Sequence, residues 1–265
     1  MMTQQLVIAG ILGACFGSFL NVIAHRSIQG RSWWGSERSV CESCGHVLSA
    51  SELVPVLSWL FLRGRCRKCG AKISVRYLVV EVLCAVLALM IAVRWDVSWA
   101  GLLVSLGTCG LIVNSLTDYE SGEVFDVLAI TPGVLALLVR IAGGFSGVLD
   151  GLEGALVGWG IFAAIIILTR GGMGWGDAVF MGGMGAVLGM KFTLLAFYLG
   201  VMTGGAWAVV LLLLGRVKWG RGDAIPLVPF LAVGCFLTMI YGTEIFAHLG
   251  ERFEFFSVSW PFLAK

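Results

Sequence analysis

Residues 77–117 read YLVVEVLCAVLALMIAVRWDVSWAGLLVSLGTCGLIVNSLT. Two long apolar runs flank a polar break at Arg94-Trp95-Asp96. A helix needs roughly 17–25 predominantly apolar residues to cross hydrocarbon, where every backbone polar group must be paired internally. The break is too short for anything but a tight turn. The stretch therefore predicts a helical hairpin that crosses a bilayer and returns.

Outward from this hairpin the pattern recurs. Candidate spans fall at 6–24, 77–93, 97–117, 124–142, 152–169, 175–190, 193–215 and 226–246, of which 175–190 is short and Gly-rich. Hydrophobic residues make up 58% of the chain and charged residues 13%, against about 25% charged in a soluble domain. An unusually apolar soluble enzyme is excluded by the unbroken length of the runs. The fold expected is an all-α polytopic membrane protein of about eight transmembrane helices carrying a zinc-knuckle cytoplasmic loop. Its parts are a first span (1–25), a four-cysteine loop (26–76), a seven-helix bundle (77–249) and an interfacial tail (250–265). The first segment has no basic region ahead of it and no small-residue cleavage site behind it, so it reads as a retained span. Membrane lipid is the expected surrounding, and nothing in the chain calls for a nucleic acid.

Orientation follows from the bases, because short cytoplasmic loops are enriched in Lys and Arg. The long loop holds Arg26, Arg31, Arg38, Arg63, Arg65, Arg67, Lys68, Lys72 and Arg76. With that loop in the cytoplasm, Arg170, Arg216, Lys218 and Arg221 share its side. Arg94, Arg140, Lys191, Arg252 and Lys265 remain for the other. The bias predicts both termini outside.

Within the loop stand Cys41-Glu-Ser-Cys44-Gly and Cys66-Arg-Lys-Cys69-Gly. Two thiolates two residues apart chelate one ion at a tight turn, and the following Gly lets amides approach sulfur. Two such turns complete a tetrahedral, closed site, so Cys41, Cys44, Cys66 and Cys69 are the expected ligands of a structural zinc ion. Disulfides are disfavoured in the reducing compartment that the charge bias indicates. Between the pairs, Leu53–Leu62 is too short to span and too apolar for a free loop, so it lies on the membrane or packs against the bundle. Cys15, Cys84, Cys109 and Cys235 sit singly in spans and read as small core residues.

Carboxylates at the edge of hydrocarbon are expensive and mark candidate sites. Asp118 ends one span and Asp177 opens another, both on the cytoplasmic side. Two carboxyls brought together share a proton, because like charges in close contact cannot both ionise. One then serves as base on a water while the other polarises the scissile carbonyl, which is aspartyl protease chemistry. Asp177 closes Gly171-Gly-Met-Gly-Trp-Gly-Asp177, which holds a Gly-x-Gly-Asp pattern. Glu123, Asp126 and Asp223 read as helix-end charges.

With these motifs in order, the chain resembles the bacterial prepilin peptidases over nearly its whole length. Gly17-Ser-Phe-Leu-Asn-Val-Ile-Ala-His-Arg26 is similar to the family's opening block, and Arg38–Glu81 to its double-knuckle segment. Asp118–Asp126 and Gly172–Asp177 are similar to the two catalytic blocks, and Ile225–Ala232 to the C-terminal block. The resemblance implies an enzyme of the bacterial inner membrane whose site faces the cytoplasm. It implies cleavage of type 4 prepilin and pseudopilin leaders, serving a pilus or type II secretion, by Asp118 and Asp177. It further implies S-adenosylmethionine-dependent methylation of the new N-terminus, with Asn21, Arg26 and Glu81 as candidates to hold the methyl donor or substrate. Polar packing between helices is their alternative role. Departures are Glu42 and Phe125 where Pro is common, Val179 where Lys is usual, and Leu227-Val228 in place of Phe-Gly. Rival readings are a peptidase without methyl transfer, a transporter relaying protons through the aspartates, and a scaffold docking a partner on the zinc loop.

Overall fold

A computed structural model describes residues 2–33, 38–96, 98–215 and 226–252. Among them no strand occurs, and helices account for every expected span. The helices are α1 (Met2–Ile28), α2 (Leu57–Phe61), α3 (Val75–Trp95), α4 (Trp99–Ser121), α5 (Asp126–Arg140), α6 (Gly144–Leu168), α7 (Trp175–Leu188), α8 (Met190–Leu213) and α9 (Val228–Arg252). Among the described residues six apolar stretches are long enough to cross a bilayer, and one of these, Asp126–Leu168, joins two expected spans, α5 and α6, across a 3-10 turn. The α7 helix belongs to none of them, and its 14 residues rise about 21 Å, short of the roughly 30 Å of hydrocarbon; α5 alone, at 15 residues, is about as short and reaches span length only together with α6.

The chain divides into two compact units, Met1–Val97 and Ser98–Lys265. In the first, α1 and α3 run antiparallel in close contact. A Cβ on Gly13 would lie 2.6 Å from the Cys84 carbonyl, and one on Gly17 would lie 2.9 Å from the Glu81 Cα, so this approach requires glycine at both places. Ser74 caps α3 by accepting from the Arg76 amide.

In the second unit α7 is the core. Ala178, Phe180, Met181 and the whole stretch Gly183–Leu188 are buried, so α7 is apolar all round because helices, not lipid, surround it. It packs through small residues: Gly183 meets the Ala129 carbonyl of α5, and Gly185 meets Gly154 of α6. Gly158 meets Met181 while Gly154 meets Gly185, so α6 runs antiparallel to α7. Gly200 of α8 and Gly234 of α9 make a second close crossing.

The lone cysteines divide. Cys84 and Cys235 are buried and Cys109 is half-buried, as core residues would be, but Cys15 is exposed on α1. The periodicity of α1 could not show this, since apolar residues stand on all of its faces. The expected interfacial tail, Arg216, Lys218, Arg221, Asp223 and Lys265 lie outside the described residues, apart from the tail's first three positions, which end α9.

Candidate active site and metal centre

Asp118 lies in the last turn of α4 and is 7% exposed. Its Oδ2 accepts the backbone N–H of Val228 at 2.9 Å, and the Leu227 amide also donates to it. Val228 opens α9, so Asp118 caps a helix from 110 positions away. The bond fixes this carboxylate at the start of α9. Pro226 and Pro229 flank the two donors without replacing either. The departure Leu227-Val228 is harmless in this respect, since the contact uses backbone only.

Asp177 lies half-buried in the first turn of α7. It stands within electrostatic range of Asp118, the other carboxyl that the sequence singled out. Gly176 explains part of this convergence. A Cβ there would lie 2.7 Å from the Val124 Cβ, so a glycine lets the start of α7 close on the link that follows α4. Gly174 carries no such demand, as a Cβ there would meet only the Asp177 carboxylate at an ordinary 3.9 Å. Gly122, at φ +67°, ends α4 in the left-handed region that glycine favours. Phe125 supplies no side-chain cap, and α5 starts at Asp126 all the same. Glu123 and Asp126 are exposed, as helix-end charges would be.

Two groups at this site and beyond it escaped the sequence reading. Asn114, one turn before Asp118, is buried and donates to the carbonyls of Gly110 (2.9 Å) and Leu128 (3.0 Å), tying α4 to α5. At the other end of α7, fully buried Arg140 donates to Asp150 (2.8 Å), Gly147 (3.1 Å) and Val187 (2.9 Å). Asp150 in turn accepts from the Met190 amide at 3.2 Å. The pair thus fastens the adjoining ends of α5, α6, α7 and α8. An Arg inside an apolar run was the available signal, but its partner could not be read.

In the N-terminal unit the four expected ligands come together. The sulfurs of Cys41, Cys44, Cys66 and Cys69 all lie within 4.8 Å of one another. Both knuckles are built alike. Cys41 donates its amide to His46 and accepts from Gly45, and Cys66 does the same with Ala71 and Gly70, all at 2.8–2.9 Å. Gly45 and Gly70 sit at φ +68° and +71°. The amides of Cys69 and Lys68 point at the Cys66 sulfur and hold its pKa down to about 6. A tetrahedral ion with sulfur bonds of about 2.3 Å needs sulfurs about 3.8 Å apart, and Cys41 and Cys69 stand at 3.9 Å. The cluster fits a closed four-thiolate metal site. Glu42, a departure from the family pattern, pairs with His25 at 2.6 Å and so links the first knuckle to α1.

The three methyl-donor candidates do not form one cluster of contacts. Asn21 is fully buried between α1 and α3. Its amide reaches the Tyr77 carbonyl at 3.5 Å, while its Oδ1 has no hydrogen-bond partner among the described residues. Glu81, one turn further along α3, is buried and accepts the Val56 amide at 2.7 Å. Arg26 reaches the carbonyls of Ser32 and Trp33 at 3.4 and 3.5 Å.

Residues 11–95 match the family model described as the bacterial peptidase A24 N-terminal domain, and residues 105–246 match the type IV leader peptidase family. The chain is similar to a prepilin leader peptidase/N-methyltransferase of Aeromonas salmonicida (strain A449), 31% identical over 258 residues that cover 86% of this chain and 88% of the relative. It is similar to one of Pseudomonas putida, 33% identical over 270 residues, covering 91% and 92%. A third, of Stutzerimonas stutzeri, is 31% identical over 264 residues, covering 89% and 91%. No solved structure matches the chain.

Proposed function

The chain belongs to the type IV leader peptidase family, and from that premise we propose that it removes the leader of type 4 prepilins or pseudopilins and methylates the N-terminus so exposed. The observation that carries the peptidase reading is the placement of Asp118, in the last turn of α4, and Asp177, in the first turn of α7, within electrostatic range of each other. Asp118, whose carboxylate is fixed by the Val228 amide, acts as the base and takes a proton from a water molecule. The hydroxide adds to the scissile carbonyl, whose oxygen is polarised by the protonated carboxyl of Asp177. Collapse of the tetrahedral adduct breaks the C–N bond, and the proton taken by Asp118 passes to the leaving amine.

The ion of the four-cysteine site is zinc, in a structural role, because four protein ligands leave no open position. The bias of Lys and Arg supports a site on the cytoplasmic face of the bacterial inner membrane. S-adenosylmethionine, when bound, supplies an electrophilic methyl group to a deprotonated amine. Asn21, Arg26 and Glu81 are the residues of the N-terminal unit that would hold it. An orphaned buried acceptor on Asn21 and a buried carboxylate on Glu81 suit a ligand that bears cationic and hydrogen-bond donor groups. The test is direct. Purified protein in detergent, mixed with a prepilin, should release the leader, and mass spectrometry should find the mature chain one methyl heavier only when the donor is present. No leader release would overturn the reading.

A further inference from the structure

The segment Leu53–Leu62 belongs to no membrane span, yet it turns apolar side chains outward. Leu57, Leu60 and Phe61 occupy positions i, i+3 and i+4 of α2 and are 52%, 53% and 82% exposed, and Leu53 and Val54 beside them are exposed as well. On α1 and α3 such exposure needs no comment, since lipid covers those helices. Here something outside the described chain must cover a face that water disfavours.

It is tied to α3 by Glu81, whose carboxylate accepts the Val56 amide at 2.7 Å. Glu81 lies six residues into α3 from Val75, about 9 Å along the axis. Amphipathic elements that lie in a bilayer interface bury their apolar face about 5–10 Å into the boundary of headgroups and acyl chains, a distance comparable to that of Glu81 from the start of α3. Val56 is β-branched and sits at φ +62°, a conformation that a free loop would abandon. Directly after the apolar face come Arg63, Arg65, Arg67 and Lys68, all exposed. No acidic residue lies among them.

We infer that this apolar tip and its basic collar form a docking surface for anionic phospholipid, inserted into the leaflet beside α1 and α3. The apolar face takes acyl chains and the four bases take headgroup phosphates. Charge complementarity selects this occupant over a neutral apolar partner, and the anchor at Glu81 selects the chain's own bilayer over a surface in solution. The inference rests on α1 and α3 crossing the membrane. It does not depend on which face is cytoplasmic, on the dyad or on methyl transfer.

The test uses the full-length, zinc-loaded protein in nanodiscs holding one chain each, of phosphatidylcholine alone or with about a third phosphatidylglycerol. Amide hydrogen exchange across residues 53–68 should be at least tenfold slower in the anionic discs at low salt. The difference should shrink sharply toward 1 M salt, where the Debye length is about 3 Å. The quadruple variant Arg63→Gln, Arg65→Gln, Arg67→Gln, Lys68→Gln should exchange alike in both discs while keeping its zinc. The double variant Leu57→Asp, Phe61→Asp should exchange fast in both. Equal exchange of the wild type in the two discs would overturn the inference, as would a lipid difference that survives the quadruple variant. Should that variant lose its zinc, the salt dependence of the wild type decides.

Discussion

The carboxylate of Asp118 and the backbone N–H of Val228 meet at 2.9 Å across 110 positions of sequence. The bond gives Asp118 two duties, as the helix cap of α9 and as the proposed base. The duties separate by substitution. Asp118→Asn keeps an acceptor oxygen for Val228 but cannot take up a proton, so cleavage should fall by about 10²–10⁴-fold with the thermal midpoint unchanged. Asp118→Ala should lose cleavage equally and also the cap. Losing a cap costs about 1 kcal/mol, roughly a 2–4 °C drop in midpoint for a chain of this size. Asp177→Asn should match Asp118→Asn in cleavage. Processing of a prepilin at near wild-type rate by either Asn variant would remove the dyad.

Much of this arrangement was legible in the sequence, for reasons that differ by element. The spans could be read because bilayer thickness imposes a length, and the knuckles because chelation imposes Cys-x-x-Cys with Gly beside it. The aspartates could be read because a carboxylate at the edge of hydrocarbon needs a reason. What could not be read was pairing. No local pattern shows that Asp118 caps α9, that Asp150 answers Arg140, or that Glu81 holds Val56, since each joins residues through tertiary packing. The length of α7 was obscured for a related reason. A helix buried by other helices is as apolar as one buried by lipid, so composition alone could not tell a span from the short core helix that it is.

The metal prediction concerns the knuckles. Purified protein should carry about one zinc per chain by elemental mass spectrometry, as a closed four-thiolate site requires. The double change Cys41→Ser and Cys69→Ser removes one ligand from each knuckle and should abolish binding. Chelation of the wild type should leave all four thiols open to alkylation, because the ion holds the loop closed. A Cys41 disulfide in freshly isolated protein would overturn both the metal site and its placement in a reducing compartment.

The network around Arg140 predicts a loss of stability without a direct loss of chemistry. Arg140→Met leaves the part-buried Asp150 without its cation and the buried Val187 carbonyl without its donor, and a buried polar group left unpaired costs about 1–3 kcal/mol. The midpoint in detergent should drop clearly, and adding Asp150→Asn should recover part of it by removing the stranded charge. Cleavage measured in the cold should change little, because Arg140 contacts Val187, ten residues and about 15 Å along α7 from Asp177. A variant as stable as wild type would show that the pair contributes nothing net.

The last prediction separates the two proposed activities at Glu81. Hydrolysis needs the aspartates and water, whereas methyl transfer needs a free amine beside an electrophilic methyl, so one pair of carboxyls does not serve both. Glu81 sits in the other unit, where its carboxylate holds the Val56 amide. Glu81→Gln retains an oxygen to accept that amide and loses only the charge. If the charge steadies the methyl donor, methylation of a pre-cleaved pilin should fall by tenfold or more while leader release stays within about twofold. Glu81→Ala removes the anchor as well, and exchange of the amides around Val56 should rise in that variant alone. Mass spectrometry of the mature N-terminus reads the first effect, and hydrogen exchange the second. Equal loss of both activities in Glu81→Gln would make Glu81 a structural anchor only, and an unmethylated product from the wild type with donor present would make this chain a peptidase alone.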